Sequence, residues 1–173
     1  MIILRQIEPE DLDWLRDQRN REELMQYFNQ FCLFTLSDQK KWYEGEVLTK
    51  KCYPFIVWDD KVPIGYCILR DFNWVVKEAE FGIFIIPEQQ NKGYGKKSLL
   101  TLLKFGFENL NLHRIYSTVF EFNKAIGIYK KLGFTVEGIL RDKCYKNGTY
   151  WDAYAISILR DDYDDLYYNK SKC

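Results

Sequence analysis

Ile85-Ile86-Pro87-Glu88-Gln89-Gln90-Asn91-Lys92-Gly93-Tyr94-Gly95 carries apolar strand residues into a glycine-punctuated turn, and from there into a helical stretch over residues 96–110. Such a junction is suited to holding a phosphate. The first turn of a helix has backbone N–H groups without internal partners and the positive end of the macrodipole, so a diphosphate can bind there through main chain alone. Gly93 and Gly95 supply small size and free φ, which let that backbone close on a ligand. No Gly-Lys-Ser/Thr ending follows, which argues against a nucleoside-triphosphate loop, and the first glycine of a dinucleotide fingerprint is absent.

Outward from this turn the chain reads as alternating blocks. Residues 2–6 form a short strand, Pro9 opens a helix over residues 10–20, and Thr35-x-x-Asp38 has capping-box spacing ahead of a helix over residues 39–48. Strands over residues 54–58, 62–71 and 76–86, separated by turns at Asp59-Asp60-Lys61 and near Asn73, make an antiparallel meander. The helix after the turn puts Leu99, Leu102, Leu103, Gly106, Phe107 and Leu110 on one stripe, with Lys96, Lys97, Lys104 and Glu108 off it, so one face covers a sheet. Another β-rich run at residues 114–119 makes that helix a crossover between two strands. Asn123 can cap a short helix ending at Leu132 with Gly133 at its stop, and the runs 134–145 and 150–159 close a hairpin about Asn147-Gly148.

A chain of 173 residues is one domain's worth, expected here as a domain over residues 1–165 and a short tail over 166–173, its stretch from Asn169 onward fraying. Lys+Arg and Asp+Glu are both 25, so charge gives no case for nucleic acid or an anionic membrane as partner. No apolar run approaches the ~20 residues of a membrane helix, and Met1-Ile2-Ile3-Leu4-Arg5 lacks the form of an export signal. Five widely spaced cysteines without a Cys-x-x-Cys pair imply reduced thiols and a cytoplasmic protein. The single histidine, His113, excludes a His-rich metal site, so no metal is expected, and it is expected to be packed or exposed rather than catalytic. With 13 Tyr and 12 Phe the aromatic share reads as core and interface, and exposed tyrosines in the last hairpin and tail point to a homodimer.

The spacing Gln90-x-x-Gly93-x-Gly95 resembles the acyl-CoA signature of the GNAT N-acetyltransferases, and three further stretches extend the resemblance in order along the chain. They are Asn-Leu-His-Arg-Ile-Tyr at 111–116, Asn-Lys-Ala-Ile-Gly-Ile-Tyr-Lys-Lys-Leu-Gly-Phe at 123–134, and Val136-Glu137-Gly138 leading to Asn147-Gly148-x-Tyr150-x-Asp152. The last two look most like the branch of spermidine and ribosomal-protein N-terminal acetyltransferases. The fold so implied is α/β (α+β): a mixed, mostly antiparallel central sheet flanked by helices in a single domain, its middle splayed by acyl-CoA. One departure stands out. In that family the capping Asn precedes the helix Tyr by seven residues, whereas Asn123 precedes Tyr129 by six and Phe122 holds the expected place.

The resemblance implies acetyl transfer from acetyl-CoA to a primary amine by direct attack, the amine belonging to a small molecule (an amino-sugar, an aminoglycoside or a polyamine) or to a peptide N-terminus. It implies that main chain at Phe84, Ile85 and Ile86 bonds the pantetheine like an added strand, one N–H polarising the thioester oxygen. It also implies that Gln90, Asn91, Lys92, Gly93, Tyr94, Gly95 and Lys96 surround the phosphates, with Asn123 at the pantetheine arm or serving simply as a helix cap. Lys97 reads as solvated helix face.

Amine acetylation needs a proton acceptor, because a primary amine of pKa ~10 is mostly protonated at neutral pH. Glu80 fits: in its strand it lies opposite Phe81, Ile83 and Ile85, and a carboxylate partly withdrawn from water is tuned toward base catalysis. The alternative is an exposed or salt-bridged strand glutamate. Tyr129 shares one side of its short helix with Ala125 and Ile126 and stands where the family carries its general acid, a phenol able to protonate a thiolate of pKa ~8.5. The acceptor site is implied at residues 27–34 and 142–151; the first is aromatic and uncharged, which weighs against a polyamine. A non-catalytic CoA-sensing module is the alternative from another class. A generic nucleotide-binding domain fits less well, because there the glycine turn follows the first strand.

Overall fold

The computed structural model describes residues 2–28 and 33–167. The chain forms a mixed, mostly antiparallel sheet of seven strands with hydrogen-bonded neighbours in the order β1-β2-β3-β4-β5-β7-β6. In chain order these are β1 Ile2–Gln6, β2 Tyr53–Asp59, β3 Val62–Asn73, β4 Glu78–Ile85, β5 Arg114–Phe120, β6 Thr135–Lys146 and β7 Thr149–Leu159. The helices are α1 Leu12–Arg19, α2 Glu22–Met25, α3 Leu36–Trp42, α4 Tyr94–Lys104, α5 Ile126–Lys131 and α6 Arg160–Tyr167. Contacts group the chain into two compact units, residues 1–72 with 81–102 and residues 73–80 with 103–173.

In the first unit, β1 and β3 both pair antiparallel with β2. The apolar sides of these strands meet Leu12 and Leu15 of α1 in a core that also takes Ile7, Val47, Cys52, Ile56, Tyr66 and Ile68. Burial of such side chains contributes ~1.5–3 kcal/mol each. Helix α3 begins as its sequence predicts: Asp38 N donates to the Thr35 hydroxyl at 3.1 Å while Thr35 N donates to the Asp38 carboxylate at 2.9 Å. Those bonds hold the Asp38 carboxyl below its usual range, the Thr35 side chain being the main cause.

In the second unit, the start of β4 pairs in parallel with β5, and β7 pairs antiparallel with both β5 and β6. Parallel neighbours require a crossover, and α4 supplies it, as the order of the sequence blocks implies. The β6–β7 hairpin turns on Asn147 and Gly148, whose φ of 51° and 79° suit the right-handed strand twist. Residues 160–167 fold as α6, which takes in the last residues of the expected domain and the first two of the expected tail, and residues from 168 on lie outside the described residues. Few apolar residues mark that helix in the sequence. Tyr163 anchors it, its ring 4.9 Å from that of Phe107 and its hydroxyl donating to Glu108 at 3.1 Å, while the Arg160 guanidinium donates to the Phe107 carbonyl.

Strand β3 lies tight against Phe84 and Ile85 at Gly65. A Cβ there would lie 2.5 Å from the Phe84 carbonyl oxygen and 2.7 Å from Ile85 Cδ1. Neither strand can withdraw without breaking its ladder, so Gly65→Ala is expected to lower stability by ~1–3 kcal/mol, an overpacking cost measurable as a lower urea midpoint with an unchanged slope.

Candidate active site

Strand β4 stops at Pro87, which cannot donate to a ladder, and the chain turns through a 3-10 segment, Pro87–Gln89. Gln89 N donates to Ile86 O at 2.9 Å and Gln90 N to Pro87 O at 3.2 Å. The Gln90 side chain folds back, donating to the Ile85 carbonyl at 2.9 Å. Asn91 and Gly93 then take φ of 60° and 80°, two left-handed steps that swing the chain into α4. The start of that helix is tethered to β2, Tyr94 donating its hydroxyl to the Asp59 carboxylate at 2.5 Å, a bond that raises the phenol's pKa.

Lys97 N is the first donor to reach back into the turn, to Gly93 O at 3.2 Å. The N–H groups of Tyr94, Gly95 and Lys96 therefore precede the ladder and crowd at the positive end of the helix. The two glycines serve different needs. Gly93 is required by its φ, whereas a Cβ on Gly95 would meet only Ile85 Cγ1, at an ordinary 3.7 Å. The fold itself would accept a side chain at 95, so what a side chain there would obstruct is the approach of a ligand.

The cationic and polar side chains of the turn are partly engaged. Lys92 donates to Glu88 O at 3.1 Å and to Gln89 Oε1 at 2.8 Å, and Arg21 grips Glu88 with both fork nitrogens, at 2.6 and 3.0 Å. Arg21 holds the Glu88 carboxyl below its usual range. Lys96 and Lys97 lie exposed on α4.

Along β4 the three residues expected to meet an added strand divide. Ile86 gives its N–H to Ile64 O at 2.9 Å, so that donor is taken, while its carbonyl accepts from Gln89 N and keeps a second lone pair. Phe84 turns its carbonyl toward β3, close to Gly65, and its ring stacks on Tyr66 at 5.6 Å. By alternation Ile85 N–H points to the other edge of the strand. The parallel register of β4 with β5 runs Glu78↔Arg114, Ala79↔Ile115 and Glu80↔Tyr116.

In the second unit, Asn123 Oδ1 accepts from Ala125 N at 3.0 Å, a local turn that leads into α5, whose N-cap position is Ala125 and not Asn123. Tyr129 sits on that helix, only 9% exposed, its ring 5.9 Å from that of Phe134. Burial pushes its phenol up to about 12, which widens the gap to a free thiol beyond the match that reference values give. Glu80 is half-buried on the β4 face opposite Ala79 and Phe81 and faces Tyr116 in register. Glu78, on the same face, is ion-paired with Arg114 at 2.8 Å. His113 is exposed, its backbone N–H donating to Lys77 O at 2.7 Å.

Two features carry no local sequence signal. One is the network in which Arg114 also reaches Glu137 at 2.6 Å and Glu137 accepts from Ser157 Oγ at 2.7 Å; the Ser157 bond, then Arg114, lowers the Glu137 pKa. The other is an acidic group at the root of the last hairpin, where Asp142 N donates to Asp152 Oδ1 at 2.9 Å and Asp152 N to Glu121 Oε1 at 3.3 Å. Only strand register could have revealed either. Of the expected acceptor segment 27–34, residues 29–32 lie outside the described residues, and Phe34 is held by paired bonds of 2.8 Å with the Asn20 amide. Among the described residues no three His, Cys, Asp or Glu side chains gather as a metal site, and no helix is long and apolar enough to cross a membrane.

Comparison with known proteins agrees with this geometry. A family model described as Acetyltransferase (GNAT) domain matches residues 1–135. The spermidine N(1)-acetyltransferase of Escherichia coli (strain K12) is 34% identical over 161 residues, covering 92% of this chain and 87% of that protein. The spermidine N(1)-acetyltransferase of Vibrio cholerae is 32% identical over 164 residues, covering 94% and 95%. A crystal structure of spermidine N-acetyltransferase from Vibrio cholerae in complex with CoA and spermine superposes with a TM-score of 0.89 at 32% identity, covering 94% of this chain and 97% of that one.

The Tyr129 environment predicts an alkaline signature. An unfolded tyrosine ionises near pH ~10. The stability that the buried neutral phenol contributes is therefore fully present below that value and is lost as pH rises toward about 12. Alkaline unfolding followed by tyrosinate absorbance is expected to show a fall in stability over this window, and Tyr129→Phe is expected to reduce it.

Proposed function

The chain belongs to the GNAT acetyltransferase family and is an acetyl-CoA-dependent N-acetyltransferase; from that premise we propose that its acceptor is a primary amine of a polyamine, acetylated by direct attack, with Glu80 taking the amine's proton and Tyr129 supplying one to the departing sulfur. The observation that carries this is the set of N–H donors at Tyr94, Gly95 and Lys96 ahead of the α4 ladder, approached over a glycine that the fold does not itself require. A diphosphate fits there through main chain, with the exposed Lys96 beside it. Lys92, engaged within the turn, is assigned to bracing it, and Gln90 likewise. Asn91 and Tyr94 belong to the same grip through backbone, and Asn123 to the pantetheine arm through the part of its side chain not bonded to Ala125 N.

On β4 the outward N–H of Ile85 is the group assigned to the thioester carbonyl, where a donor acts as an oxyanion stabiliser. The amine forms its bond to the acyl carbon as the C–S bond breaks, and the electron pair goes to sulfur. Tyr129 keeps its proton throughout the working pH range because burial holds the neutral phenol. A sulfur leaving into the same sheltered surroundings is itself made more basic, which narrows the gap between the two.

The aromatic, uncharged segment 27–34 weighs against a polyamine when taken alone, but carboxylates need not lie in that segment. Asp152 and Glu121, whose carboxylates accept the backbone N–H groups of Asp142 and Asp152, supply negative charge suited to a second ammonium. The uncharged segment keeps an amino-sugar or peptide N-terminus as the second reading. A CoA-sensing module without turnover is not favoured, since acetyltransferases match this chain over nine-tenths of its length. A cytoplasmic location fits the free thiols of Cys52, Cys67 and Cys144, and a homodimer fits the exposed Tyr145 and Tyr150, rings 4.9 Å apart on the hairpin.

Thiol release on mixing with acetyl-CoA and a panel of spermidine, spermine, an aminoglycoside and short peptides is expected to be fastest with the polyamines; acetylation of another class alone would transfer the assignment to it. Tyr129→Phe is expected to lower kcat ~10²–10⁴-fold while CoA affinity by calorimetry stays unchanged. Full turnover in that variant would remove Tyr129 from the proton-donor role.

A further inference from the structure

Arg114 sits at the start of β5 directly opposite Glu78 of β4. One fork nitrogen donates to Glu78 at 2.8 Å and the other to Glu137 of β6 at 2.6 Å, while the guanidinium carbon lies 4.8 Å from the centre of the Tyr116 ring. Glu137 is in turn fixed by Ser157 of β7. Four residues on four strands are thus locked around one planar cation. Lysine, a compact ammonium, lacks the planar fork that reaches the two carboxylates from separate nitrogens while lying over the ring.

The lock has a chemical consequence as well as a mechanical one. Glu78 and Glu80 share one face of β4 at i and i+2, ~7 Å apart along the strand. An arriving ammonium group is attracted to either carboxylate, and binding at Glu78 would place the amine one strand repeat away from productive attack. We propose that Arg114 is a positioning residue for acetyl transfer: by tying Glu78 and Glu137 to itself it withdraws them from the acceptor, so that the amine is drawn to Glu80, beside the Arg114-pinned Tyr116. This rests on the assignment of Glu80 as the proton acceptor.

Steady-state kinetics of the full chain with acetyl-CoA and the best amine of the panel test it. Releasing Glu78 creates a non-productive site, and non-productive binding lowers kcat and the amine KM together. Arg114→Met is expected to lower both by about tenfold, with the KM for acetyl-CoA unchanged, and Glu78→Gln alone to stay within about twofold of the parent. The double variant Arg114→Met/Glu78→Gln is expected to regain part of the lost kcat, because one of the two carboxylates that Arg114 ties is gone, and addition of Glu137→Gln to regain most of the rest. Arg114→Lys, which retains the charge if Arg114→Met proves too unstable to study, is expected to show a smaller joint fall that Glu78→Gln also reverses in part. A double variant no better than Arg114→Met, or a kcat loss that tracks a fall in Tm with amine KM unchanged, overturns the proposal by making Arg114 a brace only. Glu80→Gln in the same series tests the underlying assignment separately: retained turnover there removes Glu80 as base, whatever the Arg114 and Glu78 pair shows.

Discussion

Three amide donors held at the start of one helix are the constraint on which the rest of the chemistry depends. A helix end alone is a weak anion site, open to water and free to fray. Here it is fixed from three directions: Gln90 pins the turn to the last carbonyl of β4, Tyr94 ties the first helical residue to Asp59 at the end of β2, and Gly93 supplies a backbone angle that other residues adopt only with strain. Each brace is a single hydrogen bond or torsion worth ~1 kcal/mol. Together they remove the disorder that a ligand would otherwise have to overcome on binding, which is how a site made of main chain gains affinity.

The second unit works on different physics. Its strands carry many polar groups, a few of which are set in fixed partnerships. Tyr129 is sheltered enough that its proton is kept at every ordinary pH, so its role is governed by geometry rather than by titration. The carboxylates are handled in the opposite way. Glu78 and Glu137 are neutralised by one guanidinium, whereas the carboxylates of Asp152 and Glu121 accept backbone N–H groups, those of Asp142 and Asp152 respectively.

Much of this was legible in the sequence, and the reasons differ by element. Punctuation residues with strong local chemistry were decisive: Pro87, Gly93, Thr35 with Asp38, and Asn147-Gly148 each act within four residues, so their effect is written locally. The alternation of β4 placed Glu80 on the face opposite Phe81 correctly. What was hidden depends on contacts distant in the chain. Helix α6 is too polar to announce itself and exists because Tyr163 finds Phe107 and Glu108, more than fifty residues away. Nothing in a local window says that Ile86 will give its N–H to Ile64, or that Arg114 will reach Glu137 across an intervening strand.

The absence of a side chain at Gly65 bears on how the chain can change. A Cβ there would meet the Phe84 carbonyl oxygen at 2.5 Å, so any other residue forces one of two paired strands to shift. The position is closed to the gradual exchange of residues that solvent-facing strand positions tolerate, and the spacing of β3 and β4 is passed on unchanged as the surface around it drifts.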